Sequence, residues 1–378
     1  MKLIAYGKQS INKKDLSYIN KSFLADKITT GDYVSLFEKK ISNYLNSPGT
    51  IVCNSGTAGL HIALETLGLN SKKNIIMPIV NFISAYRIAK LLKAKIFFAD
   101  VDDLSGQMTT KNIIDCIQKN KLKKVDFLLT MYLGGYPEDL NNIIELKRKY
   151  KFILVEDACH AFGSQYFYKG KFYKVGSCKH SDASVFSFHP IKTITTGEGG
   201  AVSFKQKKNL SIGKKLLSHG IIRKKEHWNY NIMNLGMNYR LSDINCALGI
   251  TQLNQINNFL KKRKKIYDTY LNFFSKNNIN FKIPNYDKRN KSSYHLFIVH
   301  INLRSLQISK KKIFNFFLKN KIFVQQHYLP LYSYSFWKNS KKYPGAKRYI
   351  STCFSFPIHY GLSKKNLDYI IRFTKKLI

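Results

Sequence analysis

The chain has 378 residues, of which 44% are hydrophobic and 22% are charged. These proportions are typical of a globular protein, and they exclude a disordered chain, a collagen-like chain and a small disulfide-stabilised domain. The length favours two domains, or one large domain with an addition. The charge is unusual, because 63 lysines and arginines against 22 aspartates and glutamates give a net charge of +41.

The first 210 residues alternate short β-rich runs with amphipathic helical patterns, which is typical of α/β architecture. Strands are predicted at Thr50–Asn54, Asn74–Val80, Lys95–Val101, Val125–Leu133, Phe152–Asp157, Ala183–Phe188 and Ala201–Phe204. Helices are predicted at Ala58–Leu67 and Ser84–Leu92. The strands are apolar at consecutive positions, which indicates burial on both faces of a sheet.

The second half of the chain has a different pattern. It predicts one long helix from Asn245 to about Asn277, strands at Tyr294–Ile301 and Ile322–Gln326, and a closing helix at Lys364–Leu377. We therefore expect a large α/β domain with an N-terminal arm over residues 1–245. The long helix and a small α+β domain are expected over residues 246–378.

The basic excess has two interpretations. Clustered lysines and arginines would favour a nucleic-acid-binding protein, since such clusters release counterions from phosphates. The densest run, Lys261–Lys265, is expected on the solvated face of the long helix. The other lysines are scattered among Ile, Asn, Phe and Tyr, whose codons are A/T-rich, so a nucleotide bias of the genome is the alternative hypothesis. A diffuse basic field would also attract an anionic small molecule.

The cysteines and the apolar runs indicate in which cellular compartment the protein is expected. The six cysteines form no C-x-x-C pair, which predicts free thiols in a reducing compartment and no metal site. The first residues lack the apolar core of a signal peptide, and no apolar run approaches membrane-spanning length. We expect a soluble cytoplasmic protein with no membrane partner.

Two predicted strands end in polar residues at the edge of the sheet where such folds bind ligands. One leads into Asn54–Ala58 (NSGTA), where a helix start offers free N–H groups and hydroxyls to a phosphate, or forms an ordinary helix cap. Another ends in Glu156 and Asp157, followed by His160. A carboxylate there would stabilise a cationic ring nitrogen, and the alternative is a capping Asp beside a hydrogen-bonded His.

The polar segment Ser184–Gly200 (SVFSFHPIKTITTGEGG) is the densest cluster of candidates. A strand delivers Ser187, and Lys192 follows in a Gly-rich loop, where a lysine of lowered pKa can form a Schiff base with a carbonyl. The alternative is a surface lysine. The segment has neither the spacing of a nucleotide-binding loop nor the dinucleotide fingerprint. Asn238 and Arg240, before the predicted long helix, would cap that helix or contact an anion.

Five segments, taken in order, resemble the DegT/DnrJ/EryC1/StrS family of sugar aminotransferases. They are ITTGDYVSLFE (Ile28–Glu38), NSGTAGLHIAL (Asn54–Leu64), VEDACHAFGS (Val155–Ser164), FSFHPIKTITTGEGGAV (Phe186–Val202) and NYRLSDINCALGITQL (Asn238–Leu253). Their span exceeds half of the chain. The stretch Met131–Leu140 departs from the family's usual His-Leu-Tyr-Gly-x-Pro-x-Asp form.

The resemblance implies the aspartate aminotransferase-like scaffold of fold type I, with a large mixed-sheet domain and a smaller α+β C-terminal domain. It also implies pyridoxal 5′-phosphate as cofactor and a homodimer with shared active sites. The reaction it implies is transamination from glutamate to a keto-sugar carried on a nucleotide. Sugar dehydratases of this fold typically have His at the position of Lys192, which counts against that alternative.

The resemblance also assigns roles position by position. Lys192 would bind the cofactor covalently and then move the proton between substrate and cofactor. The remaining assignments are Asp157 at the pyridinium nitrogen, His160 at the phenolic oxygen, Phe82 on the ring, Thr57, Ala58 and Ser187 at the phosphate, Asn238 from the partner subunit, and Thr30 at the substrate.

The segment Ile322–Trp337 (IFVQQHYLPLYSYSFW) is similar to that of family members acting in pseudaminic acid synthesis. This similarity places His327 and Tyr328 near the sugar and implies a UDP-2-acetamido-2,6-dideoxy-4-keto-hexose that becomes the 4-amino sugar. Alternatively, the segment is a strand end with packed aromatics, and the substrate is another nucleotide-linked keto-sugar aminated at C4 or C3. A nucleic-acid-binding protein would instead bind DNA in a salt-dependent manner that does not require Lys192.

Overall fold

The computed structural model describes residues 2–226, 228–232, 235–276, 279–335 and 342–377. Its helices are α1 (Lys13–Phe23), α2 (Asp32–Leu45), α3 (Gly56–Thr66), α4 (Ile83–Leu91), α5 (Thr110–Lys119), α6 (Leu140–Tyr150), α7 (Lys207–Leu217), α8 (Asp243–Asn254), α9 (Ile256–Ser275), α10 (Lys310–Lys319), α11 (Pro344–Thr352) and α12 (Lys364–Lys375). Its strands are β1 (Thr50–Cys53), β2 (Asn74–Pro78), β3 (Lys95–Ala99), β4 (Phe127–Met131), β5 (Ile153–Asp157), β6 (Gln165–Tyr168), β7 (Lys171–Lys174), β8 (Ala183–Ser187), β9 (Gly200–Phe204), β10 (Ile221–Arg223), β11 (Tyr230–Ile232), β12 (Phe281–Lys282), β13 (Phe297–Ile301) and β14 (Cys353–Phe356).

A seven-stranded mixed sheet forms the centre of the fold, in the order β1-β9-β8-β5-β4-β2-β3. Strand β9 runs antiparallel to both of its neighbours, β1 and β8, whereas the other pairings are parallel. All strands except β9 therefore end at one edge of the sheet. The predicted α/β class and mixed sheet are confirmed.

Each strand predicted in the first 210 residues is present in this sheet, with ends that differ by a few residues. Their consecutive apolar side chains are buried, as in β4 and β9, where every residue is buried. Helices α3 and α4 follow β1 and β2 as predicted. The layered arrangement arises because a strand with two apolar faces must be covered on both sides.

The single long helix predicted from Asn245 is wrong. The chain forms two helices, α8 and α9, separated at Gln255, whose backbone leaves helical geometry at φ −101° and ψ 0°. Its side-chain amide donates to Thr251 O at 3.1 Å and to Asp15 Oδ1 at 3.2 Å, so the bend is held by contacts with α1. Sequence periodicity did not reveal this bend, because both helices continue the apolar pattern. Residue 277 lies outside the described residues.

The strand predicted at Ile322–Gln326 is also wrong. Ile322 forms only an isolated bridge with Ile4, and Gln325 forms another with Ser355. The regular pairing in the C-terminal region belongs instead to β12, β13 and β14, which form a three-stranded sheet. The run beginning at Ile322 is apolar because Ile322 and Val324 are buried beside that sheet, not because it extends the sheet.

A separate hydrophobic cluster lies between the three-stranded sheet and helices α9, α10 and α12, and it includes Ile4 from the N-terminus. Cys246 and Ile250 of α8 pack instead with Phe37 of α2, in a cluster of the large sheet's helices. The division of the chain between residues 245 and 246 stays a prediction, and these contacts favour a boundary nearer to Gln255.

The run Lys261–Lys265 is only partly solvated, which corrects the expectation for this segment. Lys261, Lys264 and Lys265 are exposed, but Arg263 is only 2% exposed. Arg263 lies one turn of α9 from Phe259 and Ile266, which are buried. Helical spacing therefore places Arg263 on the inner face of the helix.

The described residues contain no helix that is both long enough and apolar enough to cross a membrane. The six cysteines are free thiols, and five of them are buried while Cys159 is half-buried. Burial raises the pKa of Cys53 to about 12, so this thiol is protonated at neutral pH.

Helix α2 begins at a carboxylate supplied by another helix. Asp243, the first residue of α8, is fully buried and accepts hydrogen bonds from the N–H groups of Gly31 (2.7 Å), Tyr33 (2.9 Å) and Val34 (3.2 Å). A carboxylate at a helix start satisfies free N–H groups and interacts favourably with the helix dipole. Asp243 therefore fixes α2 against α8, next to the predicted substrate residue Thr30.

Replacement of Asp243 by alanine should destabilise the protein, because three partly buried N–H groups lose their acceptor. We expect the Asp243→Ala variant to lose about 3 kcal/mol in the free energy of unfolding. Urea unfolding followed by circular dichroism would measure this loss. The matched control is Asp368→Ala, which removes an exposed carboxylate from α12 and should change stability by less than about 0.5 kcal/mol. Equal losses in the two variants would contradict the interpretation.

Candidate active site

A cavity of about 450 Å³ lies at the edge where the parallel strands of the large sheet end. The large sheet and its loops contribute six of the predicted site residues to its wall: Thr57, Phe82, Asp157, His160, Ser187 and Lys192. The C-terminal region contributes two more, His327 and Tyr328. Ligand sites of α/β proteins form at this edge because the polar groups that follow each strand converge there. Residues 336 and 337 of the predicted sugar segment lie outside the described residues.

The loop that carries Lys192 is held by its own hydrogen bonds. Phe188 N–H donates to Gly199 O at 2.8 Å and Thr196 N–H donates to Phe188 O at 3.0 Å, which closes the loop between β8 and β9. Lys192 N–H donates to His189 O at 2.9 Å. The strand end and the closed loop together direct Lys192 into the cavity.

The surroundings of Lys192 favour its neutral amine. Desolvation by burial lowers the pKa of Lys192, and the guanidinium of Arg263 lowers it further. The Cys159 thiol and the Asp157 carboxylate act in the opposite direction and raise it. A lysine with a lowered pKa carries a larger neutral fraction, which is the form that can attack a carbonyl or accept a proton.

The two acidic residues at the end of β5 face opposite sides of the sheet, as successive strand residues do. Asp157 lines the cavity and accepts a hydrogen bond from Cys159 N–H at 3.2 Å. Burial raises the pKa of Asp157, and the hydrogen bonds with Cys159 and the charge of Lys192 oppose that shift. Glu156 points away and accepts hydrogen bonds from the hydroxyls of Tyr132 (2.8 Å) and Ser184. Only Asp157 is therefore available to a ligand.

His160, on the large-sheet side of the cavity, contacts Tyr328 on the C-terminal side. Gly134 N–H donates to Nδ1 of His160 at 3.4 Å, and Nε2 of His160 lies 3.0 Å from the Tyr328 hydroxyl. Burial lowers the pKa of His160, so the ring is neutral. Since Nδ1 accepts, the ring proton belongs on Nε2, which donates to the Tyr328 oxygen. The Tyr328 hydroxyl then keeps its own proton for a ligand.

His327 is held on the C-terminal side of the cavity. Its Nδ1 lies 3.0 Å from Ser355 Oγ, and its ring centroid is 5.3 Å from that of Tyr6. Burial lowers the pKa of His327 to about 3, and the charge of Lys192 acts in the same direction. His327 therefore acts as a neutral hydrogen-bonding group at physiological pH.

The start of α3 forms a polar corner of the cavity. Ser55 accepts a hydrogen bond from Ala58 N–H at 3.1 Å, and the hydroxyls of Thr57 and Ser84 are 2.7 Å apart. The first turn of α3 contains no acidic residue, so the positive end of the helix dipole is open to an anion. A Cβ on Gly56 would lie 3.0 Å from Cys159 Sγ and 3.1 Å from Ser187 Cβ, which shows how closely this backbone approaches the neighbouring wall.

Three predicted site residues do not line the cavity. Ala58 is buried, and its N–H is already bonded to Ser55. Thr30 is exposed and has a left-handed backbone at φ 59°. Asn238 is exposed as well, and its carbonyl accepts a hydrogen bond from Asn54 Nδ2 at 3.2 Å. Their predicted roles remain predictions.

Sequence reasoning missed several residues of the cavity wall. Ser84 and Tyr6 contribute polar groups, and His189 and Glu198 contribute half-exposed and exposed titratable groups. Ser84 could have been found, because it follows Phe82 at the start of a predicted helix. Tyr6 had no local signal, since it reaches the cavity only because the N-terminal segment packs against the C-terminal region, where Ile358 N–H donates to Tyr6 O at 3.0 Å.

A family model described as the DegT/DnrJ/EryC1/StrS aminotransferase family matches residues 9–374. That match covers nearly all of the chain and includes every residue of the cavity except Tyr6. The chain belongs to this family. The aminotransferase activity and fold type I predicted from the motifs are confirmed, and the lysine loop, the Asp157 strand and the α3 start occupy one cavity in this aminotransferase.

Curated relatives of the aminotransferase include a transaminase and a synthase that are named for nucleotide-linked sugars. It is 35% identical over 373 residues to the UDP-4-amino-4,6-dideoxy-N-acetyl-β-L-altrosamine transaminase of Campylobacter jejuni strain 81-176, covering 97% of this chain and 96% of the relative. It is 30% identical to the GDP-perosamine synthase of Escherichia coli O157:H7, covering 98% and 97%. Among solved structures, Helicobacter pylori PseC, an aminotransferase of pseudaminic acid biosynthesis, matches with a TM-score of 0.89 and 26% identity, covering 100% of this chain and 99% of that one.

A substitution at Gly200 tests the close packing behind the cavity. A Cβ at this position would lie 2.5 Å from the carbonyl oxygen of Ser55, so the Gly200→Ala variant must displace the start of α3. We expect its melting temperature to fall by about 5 °C. The control is Gly361→Ala, where the nearest side-chain atoms to a new Cβ are 3.6 Å and 3.9 Å away. Thermal unfolding compares the variants, and an unchanged melting temperature for Gly200→Ala would refute the proposed packing constraint.

Proposed function

We propose that this aminotransferase transfers the amino group of glutamate to a nucleotide-linked 4-keto-6-deoxy sugar, with pyridoxal 5′-phosphate as its cofactor. The observation that carries the proposal is the position of Lys192 in a cavity that lowers its pKa and also contains the buried Asp157. A surface lysine would have neither the desolvation nor the neighbouring carboxylate. The family and the names of the relatives support the same reaction.

The residues of the cavity fit pyridoxal phosphate. Lys192 supplies the amine for its covalent attachment, and Asp157 supplies a carboxylate for a cationic ring nitrogen. The start of α3, with the hydroxyls of Thr57 and Ser187 beside it, supplies the anion site for the phosphate. When bound, the group supplies an aldehyde that exchanges with amines and a ring that withdraws electrons from the reacting carbon. Phe82, in the cavity wall, would cover the ring, and its own ring centroid is 5.6 Å from that of Tyr328.

The protein's residues then handle the protons. Lys192 Nζ takes up the proton that leaves the α-carbon of glutamate and later delivers one to the keto carbon of the sugar. Its lowered pKa favours the neutral amine that this role requires. The neutral His160 donates to Tyr328, which leaves the Tyr328 hydroxyl proton to orient a substrate oxygen. The transfer leaves 2-oxoglutarate from glutamate and an amine on the sugar.

For the amino acceptor we propose UDP-2-acetamido-2,6-dideoxy-4-keto-hexose. This choice rests on the altrosamine transaminases, at 35% and 33% identity, and on His327 and Tyr328 in the cavity wall. The GDP-perosamine synthase at 30% identity favours a second candidate, a GDP-linked 4-keto-6-deoxy sugar. Both candidates present a keto group to Lys192 and a diphosphate to a strongly basic protein, and they differ in the nucleotide and in the group at C2.

The absorption spectrum tests the cofactor, the lysine and the amino donor together. Protein supplied with pyridoxal phosphate should show a visible band that glutamate bleaches, because glutamate would supply an amino group to the cofactor and Lys192 would no longer be attached to it. The UDP-linked keto-sugar should then restore the band at least about tenfold faster than the GDP-linked one, a preference worth about 1.4 kcal/mol. If the GDP-linked sugar restored the visible band faster, the second candidate would be favoured as the substrate.

Two lysine variants complete this experiment. Lys192→Ala should form no glutamate-sensitive band, whereas Lys205→Ala, which removes an exposed lysine just after β9, should behave like the unmodified protein. A colourless protein that stays colourless with pyridoxal phosphate would refute the proposed function. Retention on DNA that is independent of Lys192 would then favour the nucleic-acid interpretation.

We also propose that the enzyme is a homodimer in which Asn238 completes the active site of the partner subunit. Asn238 is exposed and lies outside the cavity of its own chain. The nearby hairpin β10–β11 and the residues after it expose large apolar side chains, with Tyr230 at 56%, Ile232 at 58% and Leu235 at 87% exposure. Exposed apolar clusters of this kind favour a subunit interface.

Mixed dimers test this arrangement. Lys192→Ala and Asn238→Ala should each be nearly inactive alone, since every site then lacks one residue. After subunit exchange at equal amounts, half of the dimers contain one intact site, so about a quarter of the full activity should return. Each variant exchanged with itself is the control. If the mixture stays as inactive as these controls, Asn238 does not act across the interface.

A further inference from the structure

Arg263 connects the lysine loop with the C-terminal region. Its Nη2 group donates to the carbonyl oxygens of Ile191 (3.5 Å) and Lys192 (3.4 Å). Its Nη1 group donates to three carbonyl oxygens of the C-terminal region, those of Tyr294 (3.4 Å), His295 (3.4 Å) and Ile358 (2.9 Å). One guanidinium therefore connects the backbone of Lys192 with the segment just before β13 and the segment just after β14.

This arrangement is unusual for an arginine. The side chain is 2% exposed, and no carboxylate among the described residues lies within ion-pair distance. Burial lowers the pKa of Arg263 to about 10, so the group keeps its charge at neutral pH. A buried cation without an anion is costly, and carbonyl dipoles offset only part of that cost.

We propose that Arg263 is a positioning residue for Lys192: its guanidinium fixes the Lys192 backbone and maintains a positive charge behind the amine. The proposal rests on the proposed function, because it concerns the same lysine. The planar fork of arginine reaches the two groups of carbonyls at once, which a lysine ammonium in the same place cannot do. The fixed charge disfavours a second positive charge on Lys192 and so favours its neutral form.

The other charged and titratable groups around Lys192 do not supply this positive field. Asp157 and Cys159, at the end of β5, act in the direction of a protonated lysine. His160 and His327 face the lysine from the two walls of the cavity, and His295 packs against His160 with ring centroids 4.1 Å apart and the ring planes tilted by 43°. Burial lowers the pKa of these three histidines, so they are neutral near pH 7. Arg263 is the cation that remains among the described groups acting on Lys192.

The test uses cofactor-free protein and follows the rate at which the visible band appears after pyridoxal phosphate is added, over a range of pH. This rate reports the neutral fraction of Lys192 and needs no turnover. Arg263→Gln keeps amide donors but removes the charge, and Arg263→Lys keeps the charge but removes the fork. Lys264→Met is the matched control, because it removes an exposed cation from the next position of α9.

For Arg263→Gln we expect the pH midpoint of the rate to move upward by about one pH unit, a tenfold higher proton affinity of Lys192. The sign follows from the charge, since its removal makes the protonated amine more favourable. For Arg263→Lys we expect the midpoint to stay in place while the rate falls about tenfold at every pH, because the loop loses hydrogen bonds. Lys264→Met should match the unmodified protein in both respects.

A midpoint of Arg263→Gln that equals that of the unmodified protein would overturn the proposal, even if the variant were less stable. If Arg263→Gln does not fold, the Arg263→Lys variant provides the test. Slower band formation with an unchanged pH midpoint supports the proposal. An unchanged rate of band formation overturns it. Failure of the proposed function has a different signature. In that case the unmodified protein itself would form no band, whereas failure of this proposal leaves its band intact.

Discussion

The Lys192 amine is desolvated inside a folded protein that carries a large positive charge, and most of the site depends on the resulting decrease in its pKa. Desolvation is the main contribution, since it lowers the pKa of Lys192 more than any neighbouring charge does. Desolvation requires a cavity closed on several sides. The closure comes from the large sheet on one side and from the region of His327 and Tyr328 on the other.

Because the site is buried, the neighbouring polar groups also need hydrogen-bond partners. Glu156 is accommodated because the hydroxyls of Tyr132 and Ser184 donate to it. His160 is accommodated because Gly134 donates to Nδ1 and the Nε2–H group donates to the Tyr328 hydroxyl oxygen. Buried polar groups with such partners cost little and acquire one orientation. The hydrogen bonds that satisfy burial therefore also determine which protons face a ligand.

The helix ends show how distant segments become parts of one site. Asp243 of α8 satisfies the start of α2, and Gln255 at the end of α8 is tied to Asp15 of α1. Beyond that bend, α9 carries Arg263 to the back of the lysine loop. The N-terminal helices, the lysine loop and the C-terminal sheet are thus connected through the two helices that the sequence pattern presents as one.

The amino-acid sequence by itself determined the family, the strands of the large sheet and eight of the residues that line the cavity, among them Lys192, Asp157 and His160. These are local features, because a buried strand needs consecutive apolar residues and the family motifs lie at the strand ends. The tertiary structure alone decided the bend at Gln255, the irregular backbone at Ile322 and the presence of Tyr6 in the cavity. It also brought Arg263, which helical spacing places on the inner face of α9, to the backbone of the lysine loop. These features depend on contacts between residues far apart in the chain, and local periodicity carries no record of such contacts.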